Sequence, residues 1–551
     1  MNWLNTSQIQ IDNERKNSRL LISDLYNIYW EGFVFMPGVP SGEESIKSFT
    51  RYLEKEPIES ACSYLKGIFF ILITLKATGQ TFAFVDNSGL YHSFYTETTV
   101  SSSFLKLAKY NSYSSADFDP VAVAEFLHFG FFYSFKTFIP QIKKILYNEI
   151  VCVTQFKATI EIRNKKIPVF FNHTGRLSFK QFFNELAISL KNCNFSVDLT
   201  GGIDSRLITA MLRQSGSKFE TAMTGGEETY PDIAISKKVA KAVGCPWFGT
   251  IHSARFFFSD LRNLVKATDG LYDVIYYHRL YQFQIERKKR GIDTIISGVG
   301  GELFKDYWWL HEFPFYYKKN PGIEKFVDKR ILANNSLTGI LYGAVQDASI
   351  LLRDNLIKLF STYTLDINTR TIDNIYFHII MGSVAGRELT SHSFFLKCYA
   401  PFLDPELASA GFNLSRRSRL YNLIHRKELT KLYPAIAKLA TNENGISVSY
   451  NFKDMITDLP FYCQEKMKRA LVKLRITSKK KSENLNDPAL YPIIRKSKIM
   501  SDSFNRLKKI GFIQRRASLN QINNKHLGSL LTLGLVSAEL DTKSFKKKDS
   551  Q

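Results

Sequence analysis

Apolar and polar positions alternate in three different textures along the chain. Through roughly the first 170 residues, β-branched and aromatic runs are split by Gly, Asn and Lys: YLKGIFFILITL (64–75), TFAFVDN (81–87) and the segment 142–171. Such runs predict strands, and few long helical periods stand among them. From about Phe179 the pattern changes. Five-residue apolar runs, FSVDL, FETAM, WFGTI and TIISG, are separated by amphipathic stretches of helix length, which predicts a parallel sheet with crossover helices. After Trp309 the strand signals fade, and segments 351–359, 376–388, 405–412 and 419–439 carry helical spacing of apolar residues. The expected architecture is therefore α/β plus β-rich, divided into 1–172 (β-rich), 173–465 (parallel-sheet α/β with a helical later part) and 466–551 (a basic, mostly helical extension).

Composition narrows the class. Of 551 residues, 44% are hydrophobic, with 30 Gly and 16 Pro, so neither a disordered nor a collagen-like chain fits. Lys and Arg exceed Asp and Glu by 74 to 51, a balance that favours anionic partners. Base composition rich in Lys, Asn, Ile and Phe yields the same excess, so the charge alone identifies no partner. The basic segment 466–482 reads as a solvated helix running into a loop. Six cysteines stand singly, without close pairs, as expected of reduced thiols in a cytoplasmic protein. The longest apolar run, 68–75 between Lys66 and Lys76, is far short of the roughly 18 residues of a membrane span, and none is expected.

The strongest chemical signal is DLTGGIDSRLITAML, 198–212, placed between a short apolar strand and a helix. Glycines at 201 and 202 can adopt backbone angles closed to other residues and present amide N–H groups to an anion at the helix start, a geometry suited to pyrophosphate. Asp204 would repel phosphates unless a cation stands between, and Mg²⁺ is the obvious bridge. Thr200 and Ser205 add hydroxyl donors. A purely structural helix entry capped by Asp204 or Ser205 is the alternative. No G-x-x-x-x-G-K-[ST] occurs nearby, so a Walker-type loop is excluded.

The segment resembles the pyrophosphatase loop of adenylating enzymes, Ser-Gly-Gly-x-Asp-Ser, with Thr200 in the first position. Further on, SGVGGELF (297–304) resembles the second nucleotide motif of the asparagine synthetase and β-lactam synthetase family, and YAPFLDPEL (399–407) resembles its Arg-x-Pro-Phe-Leu-Asp segment. The stretch 227–244, with Asp232, is similar to the family's acidic residue leading into a helix. Upstream, 64–73, 84–96 and 101–110 are similar to a glutaminase-like domain of Ntn-hydrolase type. The resemblance implies a degenerate glutaminase-like β-sandwich over 1–172 and an adenylating synthetase domain after it. It also implies ATP and Mg²⁺ as cofactors, a nucleotide site formed by Leu199, Thr200, Gly201, Gly202, Asp204, Ser205, Met223, Ser297 and Gly298, metal ligation by Asp204 and Glu302, and catalytic roles for Asp204, Glu302 and Arg206. Arg387 and the stretch 419–427 are further candidates for a cation beside the phosphates.

The departures from the family carry information. The nucleophilic Cys at position 2 is Asn2, and a carboxamide cannot attack glutamine. The Glu after Ser-Gly in the second motif is Val299, and the motif is shortened to Gly300-Gly301-Glu302. The implied chemistry is AMP-forming amide synthesis from a small or sugar-linked carboxylate and an amine or ammonia, independent of glutamine, in polysaccharide or natural-product biosynthesis. Ammonia-dependent asparagine synthesis, a tRNA-modifying enzyme and a non-catalytic scaffold are the alternatives. Nucleic acid is disfavoured as a partner by the missing Cys pair near the loop, and a homodimer is left open.

Overall fold

The computed structural model describes residues 8–548 apart from 12–14, 16, 155–159, 168–177, 226–230, 252–255, 306–321, 333–336, 338, 364–368, 420–421, 442–445 and 475–489. Asn2 and the greater part of the basic tract 466–482 lie outside the residues whose side chains are described.

The front of the chain forms a six-stranded antiparallel sheet in the order β10-β9-β5-β4-β3-β2: Glu161–Asn164, Glu149–Val153, Thr81–Val85, Lys66–Leu75, Tyr26–Phe35 and Ser18–Ile22. Strands β3 and β4 pair over ten residues, from Tyr26 with Leu75 to Phe35 with Lys66. Side chains alternate between faces with a period of two. One set, Ile28, Trp30, Val34, Phe69, Ile71 and Ile73, packs under the helix Glu43–Leu53 through Ile46 and Phe49. The other set, including Phe33, Phe35, Phe70 and Leu72, joins the largest core. There the Tyr399 ring stands 5.5 Å from that of Phe33 and 5.4 Å from that of Phe35. A helix thus covers one face of this sheet and the adjoining α/β layer contributes to the other, an arrangement that does not establish the glutaminase-type sandwich expected over 1–172.

A smaller sheet, in the order β1-β7-β6-β8, is built from Ile9–Gln10, Val100–Ser101, Phe94–Tyr95 and Lys143–Lys144. The front also holds helices that a strand-only reading misses. Pro120–Phe129 is buried on nearly every side, so PVAVAEFLHF shows no amphipathic period; Asp119 caps its start by accepting from Val121 N–H.

The second sheet is parallel throughout, as the alternating pattern predicts, in the order β13-β12-β11-β14-β15. Its strands are Trp247–Ile251, Glu220–Gly225, Phe195–Asp198, Thr294–Ile296 and Lys397–Tyr399. The last, only three residues long, lies in the region expected to be helical. The chain winds outward in both directions from β11, so the loops leaving β11 and β14 emerge side by side at the carboxyl edge, where open α/β sheets bind ligands.

The C-terminal part is not peripheral. The helices Lys498–Lys509 and Asn524–Lys548 share a core with residues of Pro120–Phe129 and Phe257–Ala267. The helix Phe452–Lys473 runs across the boundary expected at 465. No described helix is long and apolar enough to cross a membrane, and all six cysteines are free.

Candidate functional site

Three of the stretches singled out in the sequence meet at the carboxyl edge of β11 and β14. The loop 199–202 leads into the helix Ile203–Gln214, whose first turn leaves N–H groups without partners inside the helix and carries the positive end of its dipole. The loop is tied down by its own side chains. Thr200 N–H donates to Ser205 Oγ at 3.1 Å, Gly202 N–H to Thr200 Oγ1 at 3.1 Å, and Gly201 N–H to Asp232 Oδ1 at 2.9 Å. Asp232 thus braces the loop from the next crossover helix.

Neither glycine uses a left-handed backbone. Gly202 is extended at φ −76°, and a Cβ there would stand 3.2 Å from Thr200 Oγ1, so the need is for close approach rather than unusual angles. Positive φ is found instead in the second motif. Gly300 sits at φ +96°, and its Cβ would collide with Leu403 of the Pro-Phe-Leu-Asp segment at 2.6 Å. A Cβ on Gly301 would lie 2.3 Å from Asp204 Cγ, and one on Gly298 would lie 3.3 Å from Ser205 N. The shortened motif therefore seats its backbone directly against the Asp204 carboxylate.

Asp204 is held by the Lys305 ammonium and by the His425 ring. Lys305 Nζ donates to Oδ2 at 3.0 Å, and His425 Nδ1 lies 2.8 Å from Oδ1. Burial works to raise the Asp204 carboxyl, but Lys305 and His425 outweigh it and hold it well below the usual carboxylate range. His425 is buried among the rings of Phe304, Phe402 and Phe179, 5.0, 5.2 and 5.9 Å away. Neither Lys305 nor His425 was singled out from the sequence. Lys305 directly follows SGVGGELF, and His425 falls inside the basic stretch 419–427, so position along the chain was the only signal.

The pair read as Mg²⁺ ligands does not fit that ion as placed. Lys305 Nζ stands 3.0 Å from Asp204 and 3.9 Å from Glu302 Oε1, so an ammonium lies where a divalent ion would bridge the two. Glu302 also accepts from Tyr376 Oη at 2.8 Å, and no cluster of three His, Cys, Asp or Glu suited to a metal occurs among the described residues. The position of Lys305 turns on charge: an ammonium and a divalent cation repel each other at such a distance.

Arg206, read as a catalytic cation, is spent on the main chain. It is fully buried and donates to the carbonyls of Ile436, Leu439, Gly201 and Ala440 at 2.7–3.2 Å. Burial lowers its pKa to about 10, against the pull of Asp232. It shapes the loop from behind and is not aimed at a ligand. Leu199 is a core residue whose N–H bonds Ala222 O at 2.9 Å, so it offers only its backbone. Met223 lies buried on β12, and Ser297 lies buried just past the end of β14. Arg419 pairs with Asp373 and Arg387 with Asp269, neither among the loop's contacts. Asp404 caps the helix Pro405–Asn413 by accepting from Glu406 N–H, accepts from Tyr399 Oη at 2.7 Å and lies 3.9 Å from Lys66 of β4, a structural post.

With this geometry in place, residues 191–374 match the family model described as asparagine synthase. Over that stretch the chain is asparagine synthetase-like. The matched segment contains the loop, the second motif and Lys305; the Pro-Phe-Leu-Asp segment and His425 lie beyond it. No curated protein matches the sequence. Among solved structures, an NMN synthetase from Francisella tularensis is similar at 11% identity, over 38% of this chain and 97% of that one, with a TM-score of 0.20. At so low a score it bears on neither fold nor function.

Proposed function

We propose that this site is that of an ATP-dependent, AMP-forming amide synthetase. The observation that carries the reading is the seat of Asp204, within the asparagine synthetase-like segment, where the second motif, Lys305 and, from beyond that segment, His425 all converge on it. The pyrophosphate of ATP lies along the loop, on the N–H groups of the first helical turn and the hydroxyls of Thr200 and Ser205. Lys305 supplies positive charge at the phosphates as the bond to the α-phosphorus breaks. A carboxylate oxygen attacks that phosphorus, pyrophosphate leaves, and an amine or ammonia then displaces AMP from the acyl-adenylate and loses a proton, leaving an amide. Met223, Ser297 and the backbone of Leu199 and Gly298 form the nucleotide's surroundings. An amine or ammonia not drawn from glutamine is the donor we favour, and a uronic acid or another sugar-linked acid is the carboxylate class. A non-catalytic relative is the second reading, favoured by both Asp204 oxygens being already taken up by Lys305 and His425.

The experiment is ATP–pyrophosphate exchange with purified protein, candidate carboxylates being supplied one at a time: aspartate, small peptides, uronic acids and their nucleotide sugars. Carboxylate-dependent exchange that falls on the order of 100-fold in Lys305→Met is the expected result. ATP binding without exchange across every acid supports the scaffold reading, and exchange untouched by Lys305→Met sinks the role given to that lysine.

A further inference from the structure

Away from the loop, the front layer meets the helix Gly386–His392 at a cluster of buried cations. A cavity of about 20 Å³ lies there, lined by His92, Lys144, Ser383 and Arg387 together with the aromatic rings of Phe94, Phe131, Phe132 and Phe135. That volume holds one water or one ion of similar size. No carboxylate is among its lining residues, which add only the half-exposed Lys136 and Leu271.

The groups around it are short of negative charge. Arg387 is 2% exposed, and none of its three guanidinium nitrogens has a hydrogen-bond partner. Its ion-pair partner, Asp269 Oδ2 at 3.6 Å, is claimed more closely by Arg15 at 2.9 Å, and Asp269 Oδ1 accepts from Ser103 Oγ at 2.5 Å. Lys144, 7% exposed, donates to the carbonyls of Gly89 and Gly382 at 3.3 and 3.2 Å, which leaves its third N–H over. His92 Nε2 lies 2.7 Å from the same Gly382 carbonyl. Further out, Asp86 faces Lys144 and Lys165, accepting three backbone N–H groups, and Glu31 faces Arg15 while accepting from Tyr29 and Tyr91. With Lys144 protonated, the connected set holds four cations, Arg15, Lys144, Lys165 and Arg387, against three carboxylates, Glu31, Asp86 and Asp269. One monovalent anion balances it.

The walls are also strained toward the cavity. Phe135 takes φ +57°, a left-handed backbone rare for a bulky side chain, and its ring lies under Lys144 Nζ at 4.8 Å. The segment Ile375–Ala385 is a π-helix, a form that collects at functional sites, and it contributes Gly382 and Ser383. Gly386 is required for the approach, since a Cβ there would lie 2.7 Å from His92 Nε2.

We propose that this cavity binds a small inorganic monovalent anion of the halide class, held by Arg387 and Lys144 and joining the front layer to the helix Gly386–His392. Burial, reinforced by Arg387 and opposed by Asp86, lowers the Lys144 pKa to about 7, so bound anion and protonated lysine favour each other. Affinity should then fall about tenfold per pH unit above 7 while Lys144 deprotonates in the free protein. Burial, with Lys144 and Arg387 adding to it, holds His92 well below its usual value, so His92 stays neutral over that range.

The full-length protein is melted in sodium chloride or bromide against sodium gluconate at equal ionic strength, at pH 7 and pH 9, and crystals are grown in bromide for anomalous scattering. The expected result is a saturable rise in melting temperature of roughly 1–3 °C with halide at pH 7, smaller at pH 9, and a bromide peak between Arg387 and Lys144. Lys144→Met, which keeps length without charge, should lose both; Arg387→Met is the second variant should the first fail to fold. Equal melting in halide and gluconate with no bromide peak in the cavity overturns the proposal, as does a peak and a halide response retained in both variants.

Discussion

At the end of β11, Lys305 and His425 converge on one carboxylate, Asp204, whose two oxygens they divide. At the junction of the front layer with Gly386–His392, Lys144 and Arg387 converge on a cavity that no carboxylate lines. The parts are similar, basic side chains gathered on one buried point, and the outcomes are opposite. In the first region a fixed acid meets a lysine and a histidine ring nitrogen, so its ionised state is locked and an external cation has no room. In the second the cations share too few acids, the pull of Asp86 does not offset desolvation, and a lysine is pushed toward neutrality. Charge balance within a few ångströms decides whether a buried site excludes an ion or calls for one.

The comparison breaks most readily at Asp204. Asp204→Ala leaves Lys305 and His425 without their anion and removes the residue the second motif is built against; pyrophosphate exchange should fall on the order of 1000-fold while circular dichroism stays native. Exchange at the wild-type rate would mean that the loop is only a helix entry. Next in size is Arg206, which carries no ligand but ties four carbonyls together. Arg206→Leu strands those acceptors and should cost roughly 3 kcal/mol in urea unfolding, and Arg206→Lys, lacking the planar fork, should recover little of it. A variant as stable as wild type would return Arg206 to the ligand side of the site.

The smallest effect sharpens the second region. A lysine whose folded pKa lies near 7 against an ordinary 10.5 binds fewer protons folded than unfolded between those values. Stability from this group therefore rises with pH across that window, by up to about 1.4 kcal/mol per unit. In halide-free buffer, the stability of wild type relative to Lys144→Met should climb from pH 7 to pH 9, followed by urea unfolding at each pH. A flat difference would place Lys144 in a compensated environment and dissolve the contrast drawn here.

Much of the α/β layer was legible in the chain, because each of its first four strands is a short apolar run and each crossover is long enough to show a helical period. The three-residue β15 was not, since KCY is too brief to carry a pattern and its strand character comes from pairing with β14. Pro120–Phe129 was hidden for the opposite reason, being apolar all round. At the site, 198–212 and 297–304 were legible through glycine spacing and an acid beside hydroxyls. Their true electrostatics were not, because Lys305 and His425 reach Asp204 from 101 and 221 positions away. Single cations show no period, and only the fold says which of many lysines, arginines and histidines arrives. Arg206 illustrates the converse, adjacent in sequence to every loop residue yet turned to the carbonyls behind them.

The contact of Tyr399 with Phe33 and Phe35 reaches beyond packing. It joins the last strand of the parallel sheet to the front sheet through rings that water would otherwise meet, and Asp404, five residues on, is pinned to Lys66 of the same front sheet. A cut that removed the front sheet would bare apolar side chains of the parallel layer, so the front sheet serves as that layer's cover.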